Sequence, residues 1–165
     1  MKKIIYILFA LVAFFGFSFE AIYAKGAGLK LIENKGQWNS EAKFKAEVPG
    51  GAMFLTNNGF VYNYVSEQDL ARFHEASEGK TLVDSILHHH AYKVTFLGAS
   101  PNVRYQALDK SSVYNNYFMD KDPAKWAGHV GLYGKVIQQG IYPGIDVAVY
   151  SNAPQHLKYE FIVAP

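Results

Sequence analysis

The stretch IDVAVYSNAPQHLKYEFIV, residues 145–163, admits few folds, because apolar side chains recur at every second position. Ile145, Val147 and Val149 fall on one side of an extended chain, and Leu157, Tyr159, Phe161 and Val163 on one side of the next. Successive strand side chains point to opposite faces, so only pairings of one parity bring both apolar sets together. Pairing Val149 with Leu157 does this around a turn near 152–154, leaving Asp146, Lys158 and Glu160 on the other face. A slip by one residue would bury those charges, at several kcal/mol if unpaired. This register sets Asp146 against Glu160, which repel, so a two-residue shift stays open.

Similar alternation recurs along the chain. In AMFLTNNGFVYNYV, residues 52–65, it runs on both sides of Asn57, Asn58 and Gly59, three residues that readily take positive φ, which predicts a β-hairpin. HHHAYKVTFLGA, VRYQAL, VYNNYFM and LYGKVIQQ read as further short strands, and YPG at 142–144 as a turn. Two segments carry helix grammar. In SEQDLARFHEASE, Ser66 is placed to cap a short amphipathic helix, with a mobile loop as the alternative. In MDKDPAKWAG, Asp122 reads as N-cap, Pro123 as the first helical residue and Gly128 as the exit from about two turns. About eight strand candidates with one or two short helices predict an all-β, antiparallel sandwich-like domain.

The start of the chain obeys another logic. Lys2 and Lys3 precede an apolar run over 4–19, and Ala21 and Ala24 follow it, which reads as a signal peptide over 1–24. That run is shorter than the roughly 20 residues a helix needs to cross a bilayer, so no membrane association is expected after cleavage. Cleavage after Ala24 leaves 25–165 as a single β-rich domain, large enough to bury a core without crosslinks. The chain has no cysteine, which excludes disulfide scaffolds, thiol catalysis and cysteine-ligated metals. Without the leader the charge balance is close to neutral and no basic cluster remains, so no nucleic-acid partner is expected.

Candidate chemistry is sparse. His88, His89 and His90 suggest a metal site, but in a strand only His88 and His90 share a face, and further ligands would have to come from Asp84, His74, His129 or His156. The plainer reading is an ordinary strand entry. Asp120 and Asp122 have the spacing of a calcium loop, whose pattern then fails at Ala124 and Lys125. Signatures of nucleophile elbows, phosphate loops, dinucleotide sites and zinc proteases are absent from the sequence. No catalytic residue and no cofactor is therefore assigned. Aromatic residues are abundant, and Tyr62, Tyr64, Tyr114, Tyr117, Tyr150 and Trp126 could make a platform for sugar rings; cross-strand packing is the competing use. Tyr62, Tyr64 and Trp126 are the ligand-binding candidates.

The motifs ENKGQWNSEAKFKAEVPGGAMFLTNNGFVYNY, HAYKVTFLGA, NYFMDKDPAKWAGHV, IYPGIDVAVYSN and LKYEFIVAP occur in an order that resembles a known family. It is the N-terminal domain of uncharacterised function in exported bacterial proteins that often carry SBBP (β-propeller) repeats and often end in a gliding-motility or type IX secretion sorting domain. The resemblance spans 31–165. It implies a β-domain that continues beyond FIVAP into a Gly-rich turn and further strands, so the domain is expected to be truncated at its C-terminal end. It also implies that Glu33, Asn34, Lys35, Gln37 and Trp38 form a fold-entry signature, with Trp38 an apolar plug and Asn34 and Gln37 satisfying backbone groups.

The expected function is a noncatalytic structural or adhesion-type module at the front of a larger cell-surface or secreted protein, extracellular or periplasmic. Its expected partners are surface glycans or neighbouring domains of a longer polypeptide. The alternatives are a carbohydrate-binding module using exposed aromatics and a secreted hydrolase with dispersed acids.

Overall fold

A computed structural model of the chain describes residues 28–78, 86–118, 121–153 and 156–165. The expected signal peptide with its expected cut at Ala24, together with Asp84, Asp120 and the Pro154 side of the last turn, lies outside the described residues.

The chain runs through β1 (Leu31–Glu33), β2 (Phe44–Val48), β3 (Gly51–Thr56), β4 (Gly59–Val65), helix α1 (Glu67–Ser77) and β5 (His89–Thr95). It continues through β6 (Arg104–Tyr117), a 3-10 turn (Pro123–Lys125), β7 (Ala127–Tyr142), β8 (Ile145–Ala153) and β9 (His156–Val163). Among the described residues all nine strands join one antiparallel sheet in the order β5-β4-β3-β2-β1-β7-β8-β9, with β6 also paired to β7.

The expected two-sheet sandwich is replaced by a single curled sheet of half-barrel form, and the reason lies in β7. Its Leu132 and Tyr133 pair with Ile32 and Leu31 of β1, while Lys135 to Gln138 pair with β8. One long strand thus carries both wings, and the ladder bends without breaking. The bend uses a bulge between Gln138 and Tyr142, where Gly140 sits at φ +71° and donates its N–H to Asp146 Oδ1 at 2.7 Å. Leu31, Phe44, Met53, Leu55 and Phe60 of one wing close over Val136, Val147 and Val149 of the other.

That bulge also bears on the last hairpin. Val149 pairs with Tyr159, not Leu157, a shift of two residues that keeps the expected parity. Asp146 now lies opposite Ile162 instead of Glu160, and Glu160 meets Lys158 at 2.6 Å. The repulsion inherent in the other register is absent.

Other expectations meet local corrections. VRYQAL and VYNNYFM are not separate strands: they fuse in the 14-residue β6, whose polar middle is absorbed by a bulge between Lys110 and Tyr114 with Asp109 at φ +55°. Among the described residues β6 pairs only with β7, so its polar residues can face outward without disturbing a second neighbour. Helix α1 forms with Ser66 as its cap, the hydroxyl accepting from Asp69 N–H at 3.3 Å. The second helix shrinks to one 3-10 turn, capped by Asp122 through Ala124 N–H at 3.0 Å, because Ala127 already belongs to β7. In the β3–β4 hairpin only Gly59 takes positive φ, at +147°. A Cβ there would lie 2.0 Å from the Val94 carbonyl oxygen, so close approach of β5 demands glycine as well. Buried Gln138 anchors the hairpin tip, its Nε2 donating to Thr56 O at 3.1 Å and Asn57 O at 2.5 Å.

The LIENKGQW segment is a knot of local bonds. Asn34 Nδ2 donates to Asn39 O at 2.9 Å and Ala42 O at 2.7 Å, while its Oδ1 accepts from Gly36 N–H at 3.0 Å. Gln37 Oε1 accepts from Lys35 N–H at 2.7 Å, and its Nε2 donates to Glu33 O at 2.7 Å. Two bonds between residues far apart in sequence reach β7: Lys35 Nζ donates to His129 O at 2.9 Å and Glu33 Oε2 accepts from Gly131 N–H at 3.2 Å. Trp38 packs edge-on against Phe54 and Tyr117 in a second apolar cluster with Ile32, Val130 and Leu132.

Candidate functional site

Alternation along β4 places Phe60, Tyr62 and Tyr64 on one face, and the pairings Phe60–Val94, Tyr62–Tyr92 and Tyr64–His90 extend that face onto β5. Phe60 is only 1% exposed and lies in the core. From it a run of rings leads outward to the mouth of the half barrel. Tyr62 and Tyr92 stack at 4.9 Å with planes 15° apart, and Tyr64 lies nearly parallel to both, 6.3 Å from Tyr62 and 6.2 Å from Tyr92. The far wall is β9, whose Tyr159 touches Phe60 at 5.1 Å and whose Phe161 touches Phe96 at 5.4 Å. Tyr92, Tyr159 and Phe161 remain 43%, 48% and 47% exposed, so the run ends as an open aromatic surface.

Two phenols of this surface, Tyr62 and Tyr92, are harder to ionise than an ordinary tyrosine. Burial raises the pKa of the Tyr62 phenol, and the neighbouring phenols of Tyr92, Tyr64 and Tyr159 raise it further. Burial also raises Tyr92, and the hydrogen bond its hydroxyl donates to Tyr64 acts in the same sense.

The sequence candidates are thus partly united. Tyr62 and Tyr64 share the mouth, whereas Trp126 pairs edge-on with Phe118 at 5.3 Å. Tyr114 packs on His129, Tyr117 on Trp38, and Tyr150 lies beneath the ammonium groups of Lys135 and Lys158. The six-residue platform therefore divides into separate places. Sequence reasoning missed Tyr92, Tyr159 and Phe161 as members of the mouth. Their parity was readable, but the neighbours that parity would bring were not.

His88 and His90 also part company. His90 lies in β5, its ring 6.2 Å from Tyr92. His88 precedes the strand and turns to α1, its Nδ1 2.8 Å from Asp69 Oδ2 and its backbone N–H donating to the same oxygen at 2.7 Å. Arg72 also donates to Asp69. No group of three His, Asp or Glu side chains among the described residues could hold a metal ion. The contact ties the helix to the strand across a sequence separation of 19.

The backbone N–H of His88, then its ring and Arg72, hold the Asp69 carboxyl well below the usual carboxylate range. A depressed folded-state pKa contributes stability that is complete above the unfolded value of about 4 and is lost as pH falls below it. Amide protection factors at His88 and along α1 should therefore fall below about pH 4, and an Asp69→Asn variant should be weakly protected at every pH. Equal protection of α1 in the two proteins at pH 6 would refute this role.

Fold and mouth together define a β-domain built as one curled antiparallel sheet with an aromatic opening between its edge strands. The chain belongs to a family described as a domain of unknown function, DUF7948, which it matches over residues 31–165. That match concerns the domain alone and makes no connection to SBBP repeats or type IX secretion. No curated protein and no solved structure matches the chain.

Proposed function

We propose that this protein is a noncatalytic, exported module of the structural or adhesion type, acting through the aromatic mouth at the front of a longer secreted or cell-surface protein. The observation that carries the reading is the open row of rings at Tyr62, Tyr64, Tyr92, Tyr159 and Phe161. Large rigid side chains give contact area at little entropic cost, and phenols kept protonated bind by contact and hydrogen bonding rather than by charge. Export, the SBBP repeats and the type IX sorting signal are parts of this proposal that rest on the leader-like residues and on the resemblance of the motifs.

The partner is a neighbouring domain or a surface glycan. The near-parallel rings of Tyr62, Tyr64 and Tyr92 favour a second reading, a carbohydrate-binding module, because pyranose rings pack their C–H faces on aromatic planes. Glycan-array binding that falls about tenfold in a Tyr64→Ala/Tyr92→Ala variant, with cooperative unfolding retained, would establish it. An adhesion role alone is supported if cells displaying the protein hold to a surface or a partner domain and the same variant releases them. Turnover of a polysaccharide or peptide panel, abolished by one carboxylate substitution, would replace both readings with a hydrolase.

A further inference from the structure

The opposite face of the same strands carries a second feature. Lys45, Phe54, Val61 and Lys93 pair in one row across β2, β3, β4 and β5, and their parity turns them away from the Met53–Tyr62–Tyr92 row that enters the mouth. Beside this row lie two adjoining hollows. One, of about 390 Å³, is walled by Trp38, Ala42, Phe54 and Val61. The other, of about 520 Å³, lies against the hairpin tip and includes Lys43, Asn57, Asn58 and Lys93. Glu41 and Thr56 border both, so apolar and polar halves form one cleft.

The hydrogen-bonding groups of the polar half are unequally used. Asn57 Oδ1 accepts from the Tyr105 hydroxyl at 2.9 Å, and Asn58 Oδ1 faces the Thr56 hydroxyl at 3.4 Å, so among the described residues both amides keep their N–H groups for an outside acceptor. Lys43 Nζ gives one donor to Ser40 O at 2.7 Å and has two more. Among the described residues, no hydrogen bond or ion pair engages the Lys93 ammonium or the Glu41 carboxylate. The Lys43 and Lys93 ammonium groups and the asparagine amides thus gather at one end, the Trp38 and Phe54 rings meet edge to face at the other with the Lys45 ammonium 5.5 Å over Trp38, and the Glu41 carboxylate lies at the junction.

We infer that this cleft binds an acidic sugar, a pyranose carrying a carboxylate. The ring packs on the Trp38–Phe54 wall, its hydroxyls donate to Glu41, and its carboxylate receives charge-assisted hydrogen bonds from Lys93, Lys43 and the asparagine amides. The site stands independently of the tyrosine mouth, because it uses the other face of the sheet.

The test is titration of the full chain with a galacturonic acid trisaccharide and, in parallel, with the neutral galactose trisaccharide, followed by backbone amide NMR and calorimetry. The acidic trisaccharide is expected to shift the amides of Lys43, Asn57, Asn58 and Lys93 and to bind about tenfold more tightly than the neutral one. Lys93→Gln, an exposed change, should remove that preference and leave the unfolding midpoint unchanged; Tyr64→Ala should leave acidic-sugar binding intact. Equal affinity for the two sugars, unshifted amides at the cleft, or unchanged binding in Lys93→Gln would each overturn the inference. Loss of binding in Tyr64→Ala would move the site to the mouth and overturn it as well.

Discussion

Phe60→Ala is expected to destabilise the protein by roughly 3–5 kcal/mol, the range for removing a large buried aromatic ring. Phe60 sits where the wings of the sheet meet: its ring touches Phe96 of the β4–β5 wing at 5.4 Å and Tyr159 of β9 at 5.1 Å. Truncation removes buried area and also the contact that holds the mouth closed on its core side. The thermal midpoint should fall by roughly 10 °C or more. Tyr62, whose pKa is raised by burial and by the phenols around it, should then ionise closer to the ordinary tyrosine value. A variant that unfolds within a few degrees of the parent, with the same phenol titration, would show that the wings are held together elsewhere.

The second large effect is expected at Asn34→Asp. The two side chains have almost the same shape, but aspartate cannot donate, and it would aim a carboxylate at the carbonyl oxygens of Asn39 and Ala42 that now receive hydrogen bonds. The expected cost is roughly 2–3 kcal/mol, concentrated in the segment that seats Trp38 against Phe54 and Tyr117. Trp38 emission should shift to longer wavelength in a Trp126→Phe background, where it is the one tryptophan left. Unchanged emission and stability would show that the segment is held by its contacts to Gly131 and His129, without Asn34.

What was readable in advance was whatever depended on neighbours a few residues away. Ser66 and Asp122 cap their segments as their spacing implied, and Pro143–Gly144 turns the chain, with Gly144 at φ +71°. Asn34 and Gln37 satisfy nearby backbone groups as the fold-entry reading required. The candidate mouth was half readable: Tyr62 and Tyr64 lie on one strand, so their shared face followed from parity, but Tyr92 reaches them only through β5, after α1 intervenes. His88 shows the limit from the other side. Its expected companion was His90, two residues away, and its observed partner is Asp69 on the helix.

Most extended segments, several turns and the face each side chain takes follow from nearby residues, because backbone sterics and two-residue alternation act over short spans. That β7 carries both wings, that the last hairpin moves by two residues, and that rings from β4, β5 and β9 meet at one opening is set by long-range packing. Those outcomes turn on charges and apolar faces brought together from distant positions, such as Asp146 finding the bulge at Gly140 in place of Glu160. Registers of equal parity bury the same greasy faces, and such distant partners choose between them.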